Sequence, residues 1–126
     1  MLERLLDSVI LIDHFNGLTP ATRFLIALNP DSTAISVITL AEILVGLDKE
    51  ATGRVRPFLE QFRILSIDPP AAEKAADLRK RFGWKLPDAF QAALALQHHL
   101  RLVTRNTKDF DPRKHAFVEV PYKVSP

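Results

Sequence analysis

A parallel-sheet α/β sandwich is the fold class this sequence predicts. Short aliphatic or β-branched runs alternate with helix-length segments along the whole chain. No stretch repeats another, which excludes a solenoid or propeller, and 126 residues suit one compact domain with its own core. We therefore expect residues 1–126 to form a single domain richer in helix than in strand.

Residues 3–7 read as a first strand ending at Asp7, with Ser8 as the cap of a helix through Phe15. Asn16-Gly17 breaks the chain, and Pro20 suits the first turn of a helix to about Leu28, closed by Asn29-Pro30-Asp31. A strand at Thr33–Ile35 follows, and Ser36 is placed to cap the apolar helix Val37–Leu47. Gly53 and Pro57 are expected to bracket or interrupt the next segment, whose Phe58, Leu59 and Phe62 face the core. A third strand is expected over Ile64–Ile67. Pro69-Pro70 opens a long helix through Arg81, packed through Ala72, Ala75, Ala76 and Leu78 and stopped by Gly83 as C-cap. Pro87 opens the alanine-rich helix 87–99, and Leu102–Thr104 and Phe117–Val120 read as the last two strands. The tail from Pro121 to Pro126 is expected to be loosely held.

Composition narrows the function. A hydrophobic fraction of 47% with 25% charged residues describes a globular chain. The absence of cysteine removes disulfides, thiolate zinc sites and cysteine nucleophiles, and points to the cytoplasm. No run approaches the roughly 18 apolar residues of a membrane span, and the N-terminus lacks the basic start of a signal peptide. Four scattered histidines lack zinc-ligand spacing, and the four glycines form no phosphate loop.

Four acids stand out: Asp7, Glu42, Asp88 and Asp109 each lie in an apolar setting or at an element boundary. An ionised carboxylate in such a place is costly unless paired, protonated or bound to a cation, so the pattern points to a carboxylate cage for a divalent metal ion. Glu42 carries the most weight, since Ile38, Thr39, Val45 and Gly46 surround it at helical spacing; its alternative is a lone surface glutamate. Each of the others has a local structural alternative. Asp7 suits a helix cap, Asp88 the negative first turn of a helix, and Asp109 an Asn/Asp turn. Asn106 is placed to supply a neutral oxygen or orient a water, and Ser8 and Thr39 to hydrogen-bond carboxylates; Asp13 reads as structural. Cations gather in RKRFGWK and RNTKDFDPRK, making Arg79, Lys80, Arg81, Lys85, Arg105, Lys108 and Arg113 the candidates for phosphate contact. Trp84 is a candidate for stacking on a base, but more naturally a core or interface residue.

The blocks LLDSVILID, SVITLAEILVG, LPDAFQAALAL and LVTRNTKDF, in that order and spacing, resemble the PIN-domain ribonucleases, in particular the VapC toxins of toxin–antitoxin pairs. The resemblance implies a three-layer α/β/α sandwich with a parallel sheet of about five short strands. It matches Asp7, Glu42 and Asp88 to the family's metal-binding acids and Asp109 to the last acidic position. It implies cleavage of RNA with Mg²⁺ or Mn²⁺, restraint by a VapB-type antitoxin, a homodimer and a cytoplasmic location. Two departures are Val9, where the family usually has Asn, and Phe90-Gln91, where aliphatic residues are usual. Another reading keeps the scaffold as an RNA- or antitoxin-binding module with weak or no catalysis. A signalling receiver domain would share the length and alternation, but Asp7 has no adjacent acid and Asp68, before Pro69-Pro70, is a poor phosphoacceptor.

Overall fold

In the computed structural model, which describes residues 1–124, five short parallel strands form one sheet flanked on both faces by helices, a PIN-like three-layer α/β/α sandwich. The elements are β1 (Arg4–Leu6), α1 (Ser8–Phe15), α2 (Thr19–Ala27), a 3-10 turn (Pro30–Ser32), β2 (Thr33–Ser36), α3 (Val37–Val45), α4 (Lys49–Leu59), β3 (Arg63–Leu65), α5 (Pro69–Phe82), α6 (Leu86–Gln97), β4 (Arg101–Val103) and β5 (Val118–Glu119). The sheet order is β3-β2-β1-β4-β5, with Leu5 level with Ala34 on one side and Leu102 on the other.

Strand alternation divides the core. Leu5, Ala34 and Leu102 pack with Ala71, Ala75 and Leu78 of α5 and the alanines of α6, while the next residue of each strand, Leu6, Ile35 and Val103, packs with Ile10, Leu11, Ile43 and Leu59. Each fully buried leucine or isoleucine contributes about 1.5–3 kcal/mol. The alanines of α6 let it lie close against both the sheet and α5.

Several boundaries differ from the sequence reading for local physical reasons. Asp7 is extended and takes the N-cap position, while Ser8 is already helical. Ser36 does cap α3, accepting from the Thr39 N–H at 3.1 Å, but that helix stops at Val45, before Leu47. Gly53 and Pro57 do not break the chain. Asp48 caps α4 at 2.8 Å from the Ala51 N–H, and the helix runs through both residues, because the N–H missing at Pro57 forfeits only the bond to the solvent-exposed Gly53 carbonyl. In α5 the packed alanine is Ala71 rather than Ala76, which is exposed, since Asp68 caps the helix and sets its rotation. Gly83 closes α5 in the left-handed region at φ 72°. The Asp68 carboxylate also accepts from Gln97 at 3.0 Å, tying α5 to the end of α6. The tail is not loose at Tyr122, whose hydroxyl donates to Asp13 at 2.8 Å; the expectation for residues 125 and 126 falls outside the described residues.

Candidate active site

The chain runs from β1 out to β2 and β3 and then returns to place β4 on the opposite flank of β1. Open parallel sheets leave a crevice at the carboxyl ends of the strands where the order reverses in this way. Here it is bounded by Asp7, following β1, and by Thr104, Arg105 and Asn106, following β4. The two loops are bonded to each other. The Asp7 N–H donates to the Val103 carbonyl at 2.9 Å, and the Thr104 hydroxyl donates to Asp7 Oδ2 at 2.8 Å. The same hydroxyl oxygen accepts from the Asn106 N–H at 3.0 Å, so one threonine orders both sides of the crevice. The resulting pocket has a volume of about 460 Å³, and its lining includes Asp7, Ser8, Asp88, Arg105, Asn106 and Lys108.

Asp7 is 6% exposed, and burial pushes its carboxyl above the ordinary carboxylate range; the Thr104 hydrogen bond opposes that rise and the Glu42 charge adds to it. Asp88, half-buried in the first turn of α6, is raised by burial and then by the charges of Asp7 and Asp109. These mutual effects place the four acids in one electrostatic neighbourhood. They are not arranged alike. Asp109 lies on the wall toward a second pocket and is steered by Asn106, whose Nδ2 donates to Asp109 Oδ2 at 3.0 Å. Glu42 is exposed, as are Gly46 and Val45, the latter at 86%, and Ile38 is only half-buried. The sequence argument that apolar neighbours would enclose Glu42 therefore does not hold, because the buried residues of α3 are Thr39 and Ile43. Among the described residues none of the four acids is ion-paired with a cation, and no three carboxylate or imidazole side chains converge as a ready-made metal set.

The other candidates separate clearly. Ser8 borders the pocket, whereas Thr39 turns away from Glu42, with Ser36 at 3.4 Å and with Gln91 Nε2 donating to it at 2.6 Å. That buried contact bridges the two helices that carry Glu42 and Asp88, one helical turn from each acid. Of the cations, Lys108 borders the pocket and Arg105 does so while held by Asp13. Arg79 donates to the Trp84 carbonyl at 2.7 Å, Arg113 is paired with Asp111 at 3.0 Å, and Lys80 and Lys85 are exposed. Arg81 lies at the second pocket. Trp84 is buried, its Nε1 donating to the Asp109 carbonyl at 3.0 Å.

Sequence reasoning missed Thr104, which looked like the last residue of a strand, and it underrated Asp13. The buried Asp13 carboxylate accepts from Arg105 through both Nε and Nη2, the latter at 2.9 Å, and from Tyr122. Arg105 holds it below the ordinary carboxylate range. The only signal for this clamp was an acid closing an apolar helix, which does not reveal a partner far along the chain.

An acid at the carboxyl end of the central strand β1, with Asp88 from the start of α6 in the same pocket, on a five-stranded sheet packed by helices on both faces, defines a small α/β domain built around a carboxylate pocket. The PIN domain family model matches residues 4–114, and the chain belongs to that family. It is 31% identical over 112 residues to Ribonuclease VapC10 of Mycobacterium tuberculosis, covering 84% of each protein. Among solved structures it is similar to a toxin–antitoxin complex from Klebsiella pneumoniae, with 41% identity, a TM-score of 0.88 and coverage of 97% of this chain and 100% of that one. It is also similar to FitAcB from Neisseria gonorrhoeae, with 28% identity, a TM-score of 0.76 and coverage of 94% and 97%.

Proposed function

We propose that this chain is a metal-dependent endoribonuclease and the toxin of a toxin–antitoxin pair. The observation that carries the proposal is the pocket at the switch point, lined by Asp7 and Asp88, with none of the four acids ion-paired among the described residues. The membership in the PIN family and the likeness to a protein named a ribonuclease and to toxin–antitoxin complexes support it.

The donor set is all oxygen and strongly negative, which fits a hard cation such as Mg²⁺ or Mn²⁺. Asp7, Glu42 and Asp88 would hold it, with Asp109 completing the set. When bound, such an ion supplies charge neutralisation at phosphate and acidification of the attacking water. The chain's own residues do the rest. Thr104 fixes Asp7 through Oδ2 at the edge of the pocket. Asn106 aims Asp109, whose carboxylate is placed to orient water and accept its proton. Lys108 draws the phosphate toward an otherwise repulsive acidic pocket. No side chain serves as a nucleophile, so no covalent intermediate forms.

A VapB-type antitoxin is the proposed protein partner and a second copy of the chain the proposed homodimer partner; Ile12, Phe15, Ile26 and Val45 are large apolar residues exposed on the helices of one face of the sheet. The alternative, a PIN-like RNA- or antitoxin-binding module without catalysis, draws on the lack of three converging carboxylates among the described residues. Cleavage of a panel of RNAs by purified protein, with Mg²⁺ and with EDTA, separates the two. Asp88→Asn is expected to keep the fold and partner binding while lowering cleavage by at least about a hundredfold. Cleavage by Asp88→Asn protein at the wild-type rate would overturn the catalytic reading.

A further inference from the structure

A second pocket of about 520 Å³ shares Asp109 and Lys108 with the acidic site and extends away from Asp7 and Asp88. Its chemistry is different from that of the acidic crevice. Phe82, at the end of α5, is 41% exposed. Its ring is stacked on buried Trp84 at 4.6 Å and 22°, and His115 meets it edge-on at 5.0 Å. Trp84 is itself anchored by its bond to the Asp109 carbonyl, so Phe82 is a braced, flat aromatic surface rather than a mobile side chain. The Arg81 guanidinium lies over the ring, its carbon 5.2 Å from the ring centre, and Lys108 and Lys114 line the same pocket. Among the described residues none of these three cations has a carboxylate partner, while the nearby Asp111 is neutralised by Arg113.

A braced aromatic face within a ring of unpaired cations is the arrangement that single-stranded nucleic acid occupies, bases stacking on the ring and phosphates meeting the cations. Single-stranded nucleic acid uses both features in every nucleotide, the cations through its phosphate and the ring through its base. Lys108 borders both pockets, so one strand can run from the acidic crevice past Lys108 to Phe82.

We propose that this pocket is a subsite for a nucleotide flanking the cleaved phosphodiester, with its base stacked on Phe82 and its phosphate held by Lys108 and Lys114. The proposal rests on the ribonuclease reading and assigns that site its strand path. It also explains how a polyanion is retained beside four carboxylates, since the affinity comes from the neighbouring pocket.

The test is the binding of a labelled single-stranded RNA of about ten nucleotides to full-length protein, followed by fluorescence anisotropy in EDTA so that no cleavage intervenes. Phe82→Leu is expected to weaken binding about tenfold and Phe82→Tyr to restore it, because stacking needs a ring. Lys108→Gln with Lys114→Gln is expected to weaken binding and to flatten the dependence on salt between about 50 and 200 mM. Circular dichroism checks that each variant is folded, and the lysine pair, being at the surface, keeps the test decisive if Phe82→Leu is not. Wild-type affinity in folded Phe82→Leu and in the lysine pair would overturn the subsite. If those variants instead lose only antitoxin capture, the pocket is a protein contact and the subsite is likewise overturned. Wild-type protein that neither binds nor cleaves RNA would fail the ribonuclease reading itself, a result distinct from a misplaced subsite.

Discussion

Asp13 contributes no oxygen to the pocket, yet its carboxylate holds Arg105, which lines it, and accepts from Tyr122. Its folded pKa is depressed, chiefly by Arg105, so the stabilisation it provides is complete above the unfolded carboxylate value and fades as pH falls through the folded one. Asp13→Asn is therefore expected to cost about 1–3 kcal/mol near neutrality, by leaving Arg105 and Tyr122 with a poorer acceptor. The difference from wild type should shrink toward acid, below the ordinary carboxylate range, when both are followed by urea unfolding. A cost that grows as pH falls would contradict this account. The sequence showed Asp13 only as an acid ending an apolar helix, because its partners are 92 and 109 residues away along the chain. Asp7 and Asp88 were legible for the opposite reason, as strand-end and helix-start positions have local signatures. Glu42 was singled out for an apolar neighbourhood that proves to be surface, since helical spacing identifies neighbours but not which stripe faces the sheet.

Among the elements, α4 shows where propensity yields to packing. Gly53 and Pro57 read as breakers, but the Asp48 cap at one end and the buried Leu59 at the other keep the helix continuous. The weakness remains measurable. Gly53 is exposed in the helix interior, has a negative φ, and a Cβ there would meet nothing within 4 Å. Gly53→Ala is expected to stabilise the protein by about 0.5–1 kcal/mol, seen as a higher melting temperature with an unchanged fold by circular dichroism. A lower melting temperature would mean that α4 is not helical through this point. The bridge from Gln91 to Thr39 belongs to the same scale, joining α6 to α3. The sequence registered Gln91 only as a polar residue where aliphatic ones are usual, because the helix it meets lies 52 residues away.

For the molecule as a whole, charge placement matters more than net charge, which is only +2. Burial, and after it like charges, raises the carboxyls of Asp7 and Asp88, so their ionisation as pH rises destabilises the fold. A divalent cation that offsets this charge should raise the melting temperature at neutral pH by several degrees, since ligand at about 100 times its Kd contributes about 2.7 kcal/mol. Asp88→Asn should reduce the shift. No response of the wild-type protein to millimolar Mg²⁺ or Mn²⁺ would argue against a metal in this pocket.

The sheet order has a consequence for the chain during its own synthesis. Asp7, Glu42 and Asp88 are made early, but β4 is the partner that closes the open flank of β1, and Thr104, Asn106 and Asp109 follow it. Until β4 and the residues after it have been made, Asp7 has no opposite wall and no hydroxyl to fix it. Translation thus imposes an order on assembly: the wall that carries Asp7 is made first, and the pocket is complete only when the segment following β4 has docked against it.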